Sequence, residues 1–141
     1  MFLQTASDER QAQFSPDGHW VAYTSNESGS FEIYVRPFPG PGGQRQVTST
    51  GGMQPRWRAD GTELYYIDTS GVLLAIPIRT QSSTLEARTS TRLFQTRIHE
   101  GGKGISRHQY DVSRDGLFLL NVTAEDVASA PITVMLNWKP E

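Results

Sequence analysis

An all-β fold of β-propeller blades is what the sequence predicts, and three observations predict it. A hairpin motif occurs three times: Phe14-Ser15-Pro16-Asp17-Gly18, Trp57-Arg58-Ala59-Asp60-Gly61 and Val112-Ser113-Arg114-Asp115-Gly116, each followed by a short apolar and aromatic run. The Asp residues lie 43 and 55 positions apart. A unit of about 40 to 50 residues holding several short strands is the signature of a propeller blade. Finally, 13 Gly and 8 Pro with 36% hydrophobic and 20% charged residues describe short strands and frequent turns rather than helices.

Each Asp-Gly pair reads as the tight turn of a hairpin, because Gly takes positive φ at little cost and Asp bonds its own backbone. Blade one, about 11–50, reads as strands near 12–15, 20–25, 31–36 and 45–49, preceded by a polar turn over 6–10. Val21, Tyr23, Ile33 and Val35 alternate as half-buried strand residues do. Asn26 to Ser30 is a hairpin turn. The Pro37 to Gly43 stretch has three prolines that lack donors, so it is a loop, with Phe38 as its anchor.

Blade two, about 54–96, reads as strands near 54–58, 63–68, 72–79 and 91–96, with a tight turn at Asp68 to Gly71. The Ser/Thr-rich stretch from Thr80 to Thr91 joins its last two strands. A Gly-rich insertion over 97–107 accounts for the longer second spacing. Blade three, about 109–138, has strands near 109–113, 117–122 and 131–138 and no fourth.

Residues 2–5, Phe-Leu-Gln-Thr, resemble Leu93-Phe94-Gln95-Thr96 and read as the outermost strand of a preceding blade. Propellers have about four to eight blades, so three are too few for a ring. The expectation is a homodimer by strand exchange, half of a six-bladed ring per chain, with residues 2–5 of a partner chain supplying blade three's outer strand.

Phe14 to Gly18, then Val21-Ala22-Tyr23-Thr24-Ser25, Ser28-Gly29 and Ile33-Tyr34-Val35, resemble the WD40-like (PD40) repeat of TolB-type β-propellers. Arg36 to Gly43 and the run Pro131 to Trp138 look like the last blades of the propeller attached behind bacterial Ser/Thr protein kinases. Copy two departs from the pattern with Arg58-Ala59 for Ser-Pro, and copy three with Val112 for the aromatic. The resemblance implies a bacterial, extracytoplasmic sensing or binding module, periplasmic or at the cell surface, and no activity. Neither kinase motifs nor the Gly-x-Ser-x-Gly elbow of the peptidases that carry similar propellers occurs in the sequence.

Aligning the copies sets Gln11, Gln54 and Gln109 at one position near the start of each inner strand. They are candidates for a polar ring at a channel mouth, able to hold a peptide or small polar ligand. Beside that stands the plainer reading that the amides bond main chain. Two positions on come Gln13, Arg56 and Asp111. Arg56 is the leading candidate for ligand contact, since a guanidinium holds a carboxylate bidentately, and an ion pair with Asp111 is the competing reading.

The three Asp-Gly carboxylates are explained by turn bonding. His19, His99 and His108 lack ligand spacing, so neither metal nor other cofactor is expected. Trp20, Trp57, Trp138, Tyr65 and Tyr66 read as packing between blades. With 13 basic and 15 acidic residues interspersed and a net charge of −2, no nucleic-acid partner is expected. No run of about 18 apolar residues predicts membrane insertion, and Met1 to Asp8 does not read as a signal peptide. The absence of cysteine excludes disulfides and thiolate chemistry.

The functional expectation is a non-catalytic binding or scaffolding module, not an enzyme, taking a ligand or a protein or peptide partner at the channel mouth or on one face. The alternatives are an accessory or sensor domain of a Ser/Thr kinase or prolyl-oligopeptidase-type enzyme, and a truncated fragment without independent function.

Overall fold

The structure, a computed structural model, describes residues 6–81, 84–98 and 107–122, and the backbone alone of Thr133–Met135. Among these residues there is no helix, and the strands form three antiparallel groups. Sheet one runs in the order β1 (Glu9–Phe14), β2 (Trp20–Ser25), β3 (Glu32–Pro37) and β4 (Arg45–Gln46). Sheet two runs β5 (Met53–Trp57), β6 (Glu63–Ile67), β7 (Val72–Gln81) and β8 (Thr84–Ala87), with β9 (Thr91–Gln95) also paired to β7. Sheet three holds β10 (Tyr110–Val112), β11 (Phe118–Leu120) and β12 (Thr133–Met135).

The Asp-Gly turns form as the residue chemistry requires. Gly18, Gly61 and Gly116 take φ of 73°, 74° and 84°, the left-handed region that favours glycine. Asp17 Oδ1 accepts the N–H of His19, and Asp60 Oδ1 that of Thr62, each at 3.0 Å. These bonds, with the Ser15 and Thr62 hydroxyls as the larger cause, hold both carboxyls below the usual carboxylate range.

The third turn is one residue tighter than the others. Ser15 N–H bonds Trp20 O and Arg58 N–H bonds Glu63 O, but Ser113 N–H bonds Leu117 O. Phe14 therefore faces Val21 and Trp57 faces Leu64, whereas Val112 faces Phe118. Aligned on Asp-Gly, Leu119 matches Val21 and Leu64; aligned on the ladder, it takes the place of Ala22 and Tyr65. A slip of one residue exchanges the two faces of a strand, so Phe118 and Leu120 turn toward sheet two and Leu119 turns away.

Several boundaries differ from the sequence reading. Strand β1 begins at Glu9, inside the expected polar turn, because Glu9 and Arg10 pair with Ser25 and Thr24. Strand β4 is only Arg45–Gln46. Sheet two gains a strand: β7 extends to Gln81, and its outer half pairs with β8 from Ile78 to Gln81 while its inner half pairs with β9. The stretch read as a Ser/Thr connection hides Leu85, which is 5% exposed in the core. Residues 2–5, 99–106 and 136–141, and with them the exchanged strand, His99 and Trp138, lie outside the described residues.

The sheets pack face to face through two apolar clusters. Trp20, Ala22, Ile33 and Val35 of sheet one meet Trp57, Leu64, Tyr66 and Ile76 of sheet two. On the opposite side of sheet two, Tyr65, Ile67, Leu73 and Ala75 meet Tyr110, Phe118 and Leu120, with the Tyr65 and Phe118 rings edge to face at 5.0 Å. Alternation along β6 sorts Leu64 and Tyr66 to one neighbour and Tyr65 and Ile67 to the other. Burying each large side chain is worth roughly 1.5–3 kcal/mol, against about 1 kcal/mol for a hydrogen bond. Apolar packing thus supplies the stability, and polar contacts choose the register.

Candidate functional site

The first strands of the three sheets, β1, β5 and β10, together with Gln109 just before β10, carry the polar residues singled out in the sequence. Gln11 and Gln54 sit in bulges, where the register skips from Arg10 to Gln13 and from Met53 to Arg56. Both take positive φ, 58° and 59°, uncommon for a residue with a side chain and costing about 1 kcal/mol or more. The bulge re-aims the amide out of its own sheet toward the next.

What the amides meet there is main chain. Gln11 Oε1 accepts the Gln54 N–H at 2.9 Å and the Thr24 hydroxyl at 3.0 Å. Gln54 Oε1 in turn accepts the Gln109 N–H at 2.6 Å, and the Tyr110 hydroxyl donates to Gln54 O at 2.8 Å. Gln11 Nε2 donates to Arg107 O at 3.4 Å. All three glutamines are buried, Gln54 completely. Two amide atoms in this relay have no partner among the described residues: Gln54 Nε2 and Gln109 Oε1.

The second group, Gln13, Arg56 and Asp111, is brought together by one side chain. Arg56 Nη1 donates to Gln13 Oε1 at 2.8 Å, and Nε donates to Tyr110 O at 3.3 Å and lies 3.5 Å from Asp111 Oδ1. The guanidinium therefore spans all three sheets; the Arg56 side chain is 21% exposed and the Asp111 side chain 62%. At that separation and exposure the ion pair is worth less than about 1 kcal/mol. It leaves the cation open to a competing carboxylate.

His108 lines the same region. Its Nε2 sits 3.2 Å from Pro55 O, and burial, then the neighbouring Arg56 charge, lower its pKa. In the neutral imidazole Nε2–H donates to Pro55 O, which leaves Nδ1 as an acceptor. Tyr110 is fully enclosed, and burial raises its phenol well above the ordinary range, so it acts only as a hydrogen-bond donor to Gln54.

The other aromatic candidates are structural in their contacts. Trp20, Trp57, Tyr65 and Tyr66 are all under 9% exposed in the clusters between sheets, and Trp57 Nε1 donates to Gln13 O at 3.3 Å. His19 contacts the turn carboxylate of Asp17. Among the described residues no three His, Cys, Asp or Glu side chains converge to hold a metal, and no helix is long and apolar enough to cross a membrane.

One polar cluster was not singled out from the sequence. Glu32, 2% exposed, accepts from Ser30 Oγ at 3.2 Å, Thr48 Oγ1 at 2.5 Å and Gly51 N–H at 2.9 Å. Thr48 Oγ1 accepts the Ile33 N–H at 2.8 Å. The carboxylate clamps the link between sheets one and two. Its only sequence signal is an acidic residue placed directly before the apolar run Ile33-Tyr34-Val35.

No protein-family model and no curated protein sequence matches the chain.

Proposed function

We propose that the three sheets are propeller blades and that the chain is a non-catalytic binding module of the TolB-like kind, taking carboxylate-bearing peptides or small polar acids at the inner-strand edge. The observation that carries this is Arg56, which spans three sheets with a partly buried side chain beside a weakly held, solvent-facing Asp111. A ligand carboxylate replaces Asp111 on Arg56 in a bidentate pair, a stronger contact than the 3.5 Å approach. The Gln13 amide supplies a further polar contact, and the acceptor Nδ1 of neutral His108 takes a ligand N–H. The repeating glutamine relay and the opposed apolar faces support the blade reading. A second copy completes a six-bladed ring and places two such sites around a shared channel.

The test is titration with acetyl-capped dipeptides bearing a free C-terminal carboxylate, followed by the Arg56 Nε–H resonance. Saturable shifts that vanish in Arg56→Gln, and with amidated dipeptides, are expected. Equal shifts with amidated peptides, or none at millimolar concentration, overturn the site.

A further inference from the structure

We infer that His108 selects the ligand at the Arg56 site: its Nδ1 accepts an N–H borne by the carbon that carries the carboxylate, so the site takes the C-terminal end of a peptide and discriminates against acids that lack that N–H. This rests on the carboxylate reading above and deepens it, by naming the group beside the carboxylate that decides affinity.

His108 and Arg56 brace the same two segments in opposite directions. From just before β10, His108 reaches back to β5, with Nε2 3.2 Å from Pro55 O. Arg56 reaches forward from β5 and donates through Nε to Tyr110 O at 3.3 Å. The carbonyl that holds the imidazole thus belongs to the residue preceding the guanidinium. Pro55 is under 2% exposed, so that carbonyl is a fixed anchor.

A carbonyl oxygen has no hydrogen to give, so the contact places the hydrogen on Nε2 and the lone pair on Nδ1. Nδ1 has no partner among the described residues and is not one of their enclosed atoms. The other acceptors at the site are engaged. Gln13 Oε1 and Tyr110 O receive Arg56, and Asp111 Oδ1 accepts the Val112 N–H at 2.9 Å.

The charged groups that act on His108 are Arg56 from β5 and Asp111 from β10. Burial and the Arg56 charge disfavour the imidazolium, which keeps the Nδ1 lone pair available at neutral pH. The same cation disfavours a ligand ammonium beside it, whereas a peptide N–H carries no net charge. In the last residue of a peptide one carbon bears both the N–H and the carboxylate, and so presents both to the neighbouring imidazole and guanidinium.

The test titrates the full chain with acetyl-alanyl-alanine and with its ester analogue acetyl-alanyl-lactate, in which oxygen replaces that N–H. Both keep the carboxylate, so both are expected to shift the Arg56 Nε–H resonance. The amide is expected to bind about tenfold more tightly, because the ester sets an oxygen lone pair against Nδ1. The His108 Nδ1 nitrogen resonance is expected to move with the amide and stay in place with the ester, a response that a purely structural histidine would not give. In His108→Phe the preference is expected to fall below about threefold. Asp111→Asn, which removes the competing carboxylate, is expected to tighten both ligands and keep their ratio. Equal affinities in the wild-type chain with Nδ1 unmoved overturn this inference and leave carboxylate binding standing. A preference that survives in His108→Phe but disappears in Asp111→Asn moves the acceptor to Asp111 and overturns it as well. No shift of Arg56 Nε–H with either ligand overturns the site and this inference together.

Discussion

Gln54 Oε1 accepts the backbone N–H of Gln109 at 2.6 Å across 55 residues of chain. The contact joins two sheets through a side chain held at left-handed φ by a bulge. Gln54 is also the donor to Gln11, 43 residues back, so it is the middle link of the relay, with no exposed surface.

Replacing Gln54 with Ala is therefore expected to cost about 2–4 kcal/mol, from an unpaired Gln109 N–H and the void left behind. Urea unfolding measures it. Gln13→Ala, a substitution at a partly exposed position, is expected to cost under about 1 kcal/mol. Equal losses at the two positions would remove the relay's structural role.

The tight third turn makes a paired prediction about neighbours in β11. Leu120, 5% exposed and packed toward sheet two, is expected to lose about 2–4 kcal/mol on change to Ala. Leu119→Ala is expected to lose under about 1 kcal/mol in the monomer. The reverse order would place the Asp-Gly alignment, rather than the hydrogen-bonded ladder, in charge of which face is buried.

Stability is expected to depend on pH through His108. Its folded pKa lies below the unfolded value of about 6.5, because of burial and then the Arg56 charge, with Asp111 and the Pro55 carbonyl opposing. The unfolded chain then binds more protons in the window below 6.5, so stability falls as pH drops from about 6.5 toward the folded pKa. Above 6.5 the contribution is complete. Thermal unfolding between pH 5 and 7 should show this slope and its loss in His108→Gln; an unchanged slope would assign it elsewhere.

Glu32→Ala is expected to destabilise by about 3 kcal/mol, because it strips the Gly51 N–H and Thr48 hydroxyl of a buried acceptor. Gly51→Ala should be comparably harmful. Gly51 has φ of 95°, and an added Cβ would lie 2.4 Å from Thr69 Cγ2. Differential scanning calorimetry checks both, and a variant within 1 °C of wild type would contradict the clamp.

A double-mutant cycle on Arg56 and Asp111 is expected to return a coupling below about 1 kcal/mol, with no loss of fold in Asp111→Ala. A coupling above about 2 kcal/mol would mean the guanidinium is committed to Asp111 and closed to ligands.

By itself the sequence determined the hairpins and the repeat. Asp-Gly chemistry is local, and the alternation of Val21 and Tyr23 in β2 and of Ile33 and Val35 in β3 is read directly from neighbours in the chain. It also aligned the two polar columns at 11, 54, 109 and 13, 56, 111, because residues at one place in a repeat share a place in space. Only the tertiary structure decided what those columns touch. The amide of Gln54 finds a backbone N–H because a bulge turns it there, and Arg56 reaches Asp111 because sheets two and three stack. Nor could Ser113-Arg114-Asp115-Gly116 announce a tighter closure than Ser15-Pro16-Asp17-Gly18. That choice buries Phe118 against Tyr65 and Phe94, a reward that exists only once sheet two stands beside it. Strand β8 was hidden for the same reason: its Thr- and Glu-rich residues read as a loop, and it becomes a strand because the overhang of β7 offers it an edge to pair with.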